Sequence, residues 1–173
     1  MIEVAKNIFK GIAPNNRYKV TFSKIDIFSE FARDDYHVLV SNVDIPPQEF
    51  QEAMLIMWGL KRNIAASIDF DPLTMTIVCD PHLKIRNAFE KWHGQIFNKE
   101  YWLVNYLETY CSDIQIDILS KKNTLVKRYM FEKAYPQTIG SLKLGYGEKE
   151  SYLEFTVNFR YLTMNSETKT NVL

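Results

Sequence analysis

Three histidines and two cysteines are the side chains of this sequence best suited to metal or nucleophilic chemistry, but their spacing supports neither. His37, His82 and His93 form no His-x-x-x-His pair, and none lies beside a cysteine at a metal-ligand spacing. Cys79 and Cys111 are a single pair without such spacing, so both are expected to be reduced, structural thiols. We therefore predict no metal site.

Acidic residues that could form an acid–base pair lie in segments typical of loops. The pairs are Glu49 with Glu52, Asp69 with Asp71, and Glu148 with Glu150. Neighbouring lysines favour solvated charges at these positions, because a catalytic pair would need a pocket. No nucleotide-binding or nucleophile-elbow motif occurs, and Gly145-Tyr-Gly147 is typical of a turn. No catalytic residue and no cofactor are predicted.

A basic segment with a tyrosine offers a candidate nucleic-acid site, formed by Lys121, Lys122, Lys127, Arg128 and Tyr129. The chain has 21 basic and 21 acidic residues, so binding driven by counterion release would be weak. Lysine at the tip and outer face of a hairpin commonly prevents edge-to-edge pairing of strands. We favour this second role and predict no specific nucleic-acid binding.

The elements that carry these residues are those of one folded domain. A length of 173 residues with 46% hydrophobic and 14% aromatic residues suits a single domain with a real core. Residues 1–15 are predicted to form an arm or short helix and not a signal peptide, and residues 164–173 a flexible tail. No run approaches the roughly 20 apolar residues of a membrane span, so a cytosolic origin is expected.

The clearest strand covers Leu153 to Tyr161, where every second residue is apolar. The alternate positions hold Glu154, Thr156, Asn158 and Arg160. One face therefore belongs to a core and the other to water or a polar neighbour, as in an antiparallel sheet.

Further strands are predicted over residues 17–22, 36–43 and 73–79, with a hairpin that joins 114–118 to 125–133. Asp80 as N-cap and Pro81 at the first position predict a helix, with a stripe formed by Ile85, Ala88, Phe89, Trp92 and Ile96. A second helix is predicted between Ser23 and Arg33. Residues 98–111 are interpreted as an insertion whose structure the pattern leaves open.

Two interpretations of residues 48–58 remain open from the residues alone. Apolar side chains from Phe50 to Trp58 fall at helical spacing, and Gly59 stands where a helix would end. Ala53 to Trp58 is also a run of six apolar residues, which suits a strand covered on both faces.

Three blocks of the sequence resemble the major tail tube protein family of contractile-tailed bacteriophages, which is related in fold to type VI secretion and contractile injection tube proteins. The blocks are Val43–Pro46; Trp58–Arg62 with Asp71–Asp80 and the following helix; and Glu132–Leu142 with Glu154–Tyr161. The third is the most specific, because a Tyr-Pro-x-x-Ile-Gly-x-Leu turn before an alternating last strand is not a general β pattern.

The resemblance implies a mainly β fold, with two packed antiparallel sheets forming a small β-barrel or sandwich, one flanking α-helix and a long projecting hairpin. It implies hexameric rings that stack into the inner tail tube, through which phage DNA passes. The implied partners are other copies of the chain, the tail sheath protein, baseplate or tail-terminator proteins, and DNA as non-specific cargo, with no membrane. The implied location is the virion tail, after synthesis in the host cytoplasm.

The resemblance places the hairpin around Gly59, so we predict strands there and a subunit interface. Permanent interfaces have apolar centres, and the candidates are Ala53, Met54, Leu55, Ile56, Met57, Trp58, Leu60 and Arg62. The polar positions Glu154, Thr156, Asn158 and Arg160 are candidates for the lumen, although the outer surface under the sheath is equally open to them.

Two other functions are considered. The extra segments beyond the family pattern suit a baseplate-proximal tube-initiator ring. From another class, a small β-barrel could bind an apolar ligand with its abundant aromatic side chains.

Overall fold

The structure, a computed structural model, describes residues 16–23, 40–145 and 152–168. The arm predicted over residues 1–15 and the helix predicted after Ser23 lie outside the described residues. The described elements, in chain order, are β1 (Tyr18–Phe22), β2 (Val40–Asp44), β3 (Gln48–Met57), β4 (Leu60–Phe70), β5 (Leu73–Val78), α1 (Lys84–Ile96), β6 (Phe97–Asn98), β7 (Leu103–Val104), α2 (Leu107–Tyr110), β8 (Ser112–Leu119), β9 (Leu125–Ile139), β10 (Glu154–Arg160) and β11 (Thr163–Thr168).

A long bent strand, β9, joins two layers of antiparallel sheet. Its first part lies between β8 and β11, with β1 beyond β8. Its last part pairs with β10, and the order continues through β5 to β2. Lys133, between the two parts, has a φ of 51°. A positive φ at a strand irregularity changes the strand direction, so one strand can serve both layers.

The two layers pack face to face around an aromatic core. Phe22 of β1 contacts Phe159 of β10 with ring centroids 6.1 Å apart, and Phe131 of β9 contacts Tyr161 at 4.9 Å. The strand order starts at β1 and ends at β2 without a ladder between them, although the Tyr18 hydroxyl donates to the Val40 carbonyl oxygen at 2.9 Å. The mainly β sandwich is thus confirmed, but the described strands do not form a closed barrel.

Helix α1 covers the core with one apolar face, as predicted. Ile85, Ala88, Phe89 and Trp92 are buried. The predicted start at Pro81 is wrong, because the helix begins at Lys84 after Leu83, whose φ is 53°. The Asp80 carboxylate still acts as a cap, since it accepts from the Ile85 N–H at 3.1 Å and the His82 N–H at 3.3 Å.

The C-terminal segment corrects another prediction. Residues expected to be flexible from position 164 include β11, which pairs with β9 from Thr163 opposite Glu132 to Thr168 opposite Lys127. Only Met164 of this strand is buried. An edge strand of this kind is held by backbone hydrogen bonds and needs little apolar alternation, so its polar sequence resembles a loop.

Two other predictions are confirmed. The β8–β9 hairpin turns at residues 120–124, where the Ser120 N–H donates to the Thr124 carbonyl oxygen at 2.8 Å. Strand β10 alternates as expected, with Phe155, Val157 and Phe159 buried.

The insertion contains a short hairpin, β6–β7, followed by the single-turn helix α2.

Candidate subunit interface

The segment whose sequence pattern fitted both a helix and a strand is part of a two-stranded hairpin. The prediction of strands around Gly59 is therefore confirmed. Strands β3 and β4 pair from Gln48 opposite Phe70 to Met57 opposite Leu60. The two-residue turn has φ angles of 55° at Trp58 and 76° at Gly59. Positive φ at both central residues matches a type I′ turn, which suits the right-handed twist of paired strands.

The hairpin projects from the sandwich. Every residue of β3 is exposed, and so is every residue of β4 before Phe70. At its base, the Phe70 ring lies 5.6 Å from the Tyr161 ring, and Arg160 Nη1 donates to the Phe70 carbonyl oxygen at 2.9 Å. An isolated two-stranded ribbon is marginally stable in water, so this hairpin needs a surface to pack against.

Both faces of the hairpin carry large apolar side chains. Alternation along the strands places one set on the first face: Ala53, Leu55, Met57, Leu60 and Ile64. The second face carries Phe50, Met54, Ile56 and Ile68. Trp58 lies at the tip and is 97% exposed.

The eight predicted interface residues are therefore divided between two faces and the tip, and they do not form one patch. Arg62 shares the first face, opposite Leu55. Sequence reasoning missed Phe50, Ile64 and Ile68, which are also exposed. The sequence could have identified them, because in an extended segment they occupy the same alternating apolar positions as the predicted residues.

Charge is distributed unevenly along the hairpin. Lys61 and Arg62 follow the turn, while Glu49, Glu52 and Asp69 lie in the half nearer the sandwich. The Glu52 carboxylate accepts from Asn63 Nδ2 at 2.9 Å. The tip is thus apolar and basic, and the base is acidic.

The four lumen candidates lie on the outer face of β10. Glu154, Thr156 and Arg160 are exposed, and Asn158 is half-buried. Asn158 Oδ1 accepts from Thr74 Oγ1 at 3.1 Å, and Arg160 Nε donates to Gln137 Oε1 at 3.1 Å.

Neighbouring strands extend this surface into two cross-strand rows. The rows are Asn42–Thr76–Thr156 and Asp44–Thr74–Asn158. The result is a face of short hydroxyl and amide side chains with few charges.

The structure also places the residues considered for chemistry. The described ranges contain no group of three or more histidine, cysteine or acidic side chains that could hold a metal ion. Cys79 and Cys111 are both free. Burial raises the pKa of the Cys79 thiol, and the Arg86 guanidinium offsets this only in part. Cys79 is therefore protonated near neutral pH and weakly nucleophilic.

The basic segment does not form one patch. Arg128 Nε contacts Asp117 Oδ1 at 2.8 Å, and this hydrogen-bonded ion pair raises the pKa of Arg128. Lys127 lies on the other side of β9, with Nζ 4.6 Å from the centroid of the Tyr129 ring.

Within the described ranges, neither helix has the length and hydropathy that a membrane crossing requires.

Comparison with known proteins adds a family and a fold. A family model described as phage tail tube protein matches residues 12–167. A tail tube protein of Serratia phage KSP90 is 23% identical over 163 residues, which are 91% of this chain and 90% of that protein.

Two solved structures have a similar fold. A chain of the extended sheath–tube complex of the PVC extracellular contractile injection system has a TM-score of 0.69 at 11% identity, with 95% of this chain and 97% of that chain covered. A chain of the tube-terminating cap of the anti-feeding prophage has a TM-score of 0.70 at 15% identity, with 91% and 92% covered.

Proposed function

The chain belongs to the phage tail tube protein family, a family of structural proteins and not of enzymes, and we propose that it forms hexameric rings that stack into the inner tail tube. As a tail tube protein it is part of the virion tail. The tube would carry phage DNA during ejection. The observation that supports assembly most directly is the β3–β4 hairpin, which exposes apolar side chains on both faces.

A contact on one face of the hairpin would not be enough for a stable assembly. Burying one large apolar side chain stabilises by about 1.5–3 kcal/mol. The four apolar side chains of the second face are already partly buried, so they would contribute less than roughly 6–12 kcal/mol, against an association cost of roughly 4–15 kcal/mol. Both faces must be covered for a clear surplus. A ring of identical subunits that also stacks supplies two neighbours to each hairpin, through heterologous contacts that close by rotation.

The outer face of β10, β5 and β2 is proposed to line the lumen. A DNA conduit must not retain DNA, because each phosphate contact strengthens binding through counterion release. The two polar rows suit this requirement, since they contain the acidic Asp44 and no basic residue. Glu154 adds a second acidic side chain on this face. The Arg160 guanidinium donates hydrogen bonds to the Gln137 side chain and to the Phe70 carbonyl oxygen. The carboxylates of Asp44 and Glu154 would repel phosphates within a Debye length of about 8 Å.

The partners follow from the position of the tube. We propose that the outer surface contacts the tail sheath protein and that the end rings contact baseplate or tail-terminator proteins. The similar folds in a sheath–tube complex and in a tube-terminating cap support this proposal. Synthesis and assembly would take place in the host cytoplasm.

Electron microscopy and light scattering of the purified chain test the proposal. We expect sixfold rings, with long tubes for a repeating tube protein and single rings for a tube initiator. Leu55→Asp and Ile56→Asp each place a charge on one hairpin face and should each prevent assembly, because neither face alone suffices. Gln51→Asp changes an exposed polar residue of the same hairpin and is the control. A monomer at all concentrations, without rings, would contradict the proposal.

A further inference from the structure

The insertion between α1 and β8 is a fixed part of the subunit. The Asn105 N–H donates to the Ile96 carbonyl oxygen at 3.0 Å, and Asn105 Nδ2 donates to the Gln95 carbonyl oxygen at 2.6 Å. These bonds hold the short β6–β7 hairpin against the end of α1. In its turn, the Asn98 side chain accepts from the Glu100 N–H at 2.9 Å, and Trp102 has a φ of 54°.

This ordered segment exposes a cluster of apolar side chains that we call the aromatic patch. It consists of Tyr101, Trp102, Leu103, Val104 and Tyr106. Trp102 is 80% exposed and Tyr106 88% exposed, so neither contributes to the subunit core. Several large apolar side chains exposed within one short segment are typical of an interaction site, and tyrosine and tryptophan are enriched in the anchors of interfaces.

The aromatic patch and the β3–β4 hairpin are two separate surfaces of the subunit, attached to it through different residues. Trp92 Nε1 donates to the Tyr110 carbonyl oxygen at 2.6 Å, and the Tyr110 ring lies 5.4 Å from the Tyr135 ring of β9. The hairpin continues from β2 and β5, and β10 separates β5 from β9. A heterologous contact between identical subunits requires two different surfaces of this kind.

The charges of the two surfaces are complementary. The hairpin tip, residues 54–64, has Lys61 and Arg62 as its only charged side chains. The insertion, residues 97–110, has Lys99, Glu100 and Glu108, a net charge of −1. An apolar and basic tip therefore matches an aromatic and slightly acidic surface. The apolar contacts would supply affinity, and the opposite charges would fix how the two surfaces align.

We propose that the aromatic patch is the docking site for the hairpin tip of a neighbouring copy of this chain. The inference rests on the proposed assembly into rings and tubes, and it assigns the surface that receives one face of each hairpin. Trp102 and Tyr106 act as aromatic anchors for the methionine, leucine and isoleucine side chains of the tip. Glu100 and Glu108 pair with Lys61 and Arg62 at the rim.

Photo-crosslinking of the assembled chain locates the contact. The photoreactive residue p-benzoylphenylalanine is placed at Trp102, and crosslinked peptides are identified by mass spectrometry. Crosslinks from position 102 to residues 54–64 of another copy are expected, and the same probe at Lys122 should give none to that segment. Rings or tubes whose crosslinks from position 102 go elsewhere, or are absent, would overturn this inference and leave the proposed function intact. Absence of any assembly in the unmodified chain would instead contradict the proposed function, and the inference with it.

Substitutions test the energetics. Trp102→Ala and Tyr106→Ala should each raise the concentration needed for assembly about tenfold or more, with unchanged unfolding of the isolated subunit. Tyr152→Ala removes another highly exposed tyrosine and should have no effect. Reversing Glu100 and Glu108 to lysine should weaken assembly, and reversing Lys61 and Arg62 to glutamate in the same chain should restore it. A combined variant that assembles no better than the Glu100 and Glu108 reversal alone would contradict the docking.

Discussion

The Gly140 N–H donates to the Thr156 carbonyl oxygen at 2.7 Å, and a Cβ atom at position 140 would lie 2.9 Å from the same oxygen. On its other side, the Gly140 carbonyl oxygen accepts from Arg86 Nη1 at 2.6 Å. The end of β9, strand β10 and helix α1 therefore meet at one glycine. This close approach is a physical reason for the Ile-Gly step in the most specific sequence block.

Gly140→Ala should lower the free energy of unfolding by about 1–3 kcal/mol, because the added methyl group meets backbone that cannot rotate away. Urea unfolding followed by tryptophan fluorescence measures the change. Gly94→Ala is the matched control, since the Cβ position at Gly94 in α1 is open and alanine favours a helix by about 1 kcal/mol. An equal effect of both substitutions would show that the contact with Thr156 is unimportant.

Trp58→Asn should separate hairpin stability from assembly. Asparagine tolerates the left-handed conformation that Trp58 adopts, so the turn should gain up to about 1 kcal/mol. Hydrogen exchange of β3 and β4 amides in the unassembled subunit should become slower. Assembly should nevertheless weaken, because the exposed tryptophan at the tip is lost. Tighter assembly would instead show that Trp58 makes no useful contact.

Asp80 should give the stability a pH dependence in acid. Partial burial raises its pKa, but the N–H groups around it, among them those of Ile85, Lys84 and His82, have the larger combined effect and place the pKa below the ordinary 3.8. Its contribution is fully present above the unfolded pKa and is lost as pH falls through the folded pKa. Asp80→Ala should cost about 1 kcal/mol at neutral pH.

Unfolding measured from neutral pH to about pH 3 checks the Asp80 prediction. The difference between the wild-type chain and Asp80→Ala should shrink below about pH 4, as the carboxyl becomes protonated. Asp80→Asn keeps an acceptor for the helix N–H groups without a titrating charge, so its contribution should be independent of pH. A constant difference between wild type and Asp80→Asn across this range would argue against the lowered pKa.

Glu154→Lys tests the lumen. If β10 faces the conduit, a new lysine in every subunit should add phosphate contacts and slow DNA ejection from tails that assemble normally. Glu167→Lys, on the exposed strand β11 of the other layer, is the control and should eject normally. Normal ejection by the Glu154 variant would rule out the proposed lumen face.

Local pattern was sufficient where one face of a strand is buried. The alternation from Phe155 to Phe159 predicted β10 because burial on one side and solvent on the other impose a period of two. The same argument gave the buried stripe of α1, with its period near 3.6.

Local pattern failed where the partner of a segment is another strand edge or another molecule. The apolar residues from Phe50 to Trp58 fit a helix equally well, and only the family resemblance favoured the hairpin. Strand β11 was missed because its backbone pairs with β9 while most of its side chains remain in solvent. The predicted start of α1 failed because Asp80 caps the helix through a turn that places Leu83 in the left-handed region.

The anchorage of the hairpin base also separates local from long-range contacts in folding. Among the described strands, β3 and β4 pair only with each other, so the register of this hairpin is set by contacts that are local in sequence. Its attachment to the sandwich is different, because the groups that hold Phe70 belong to Arg160 and Tyr161, about 90 positions further along the sequence. The hairpin therefore reaches its final orientation only when the end of β10 has packed against its base.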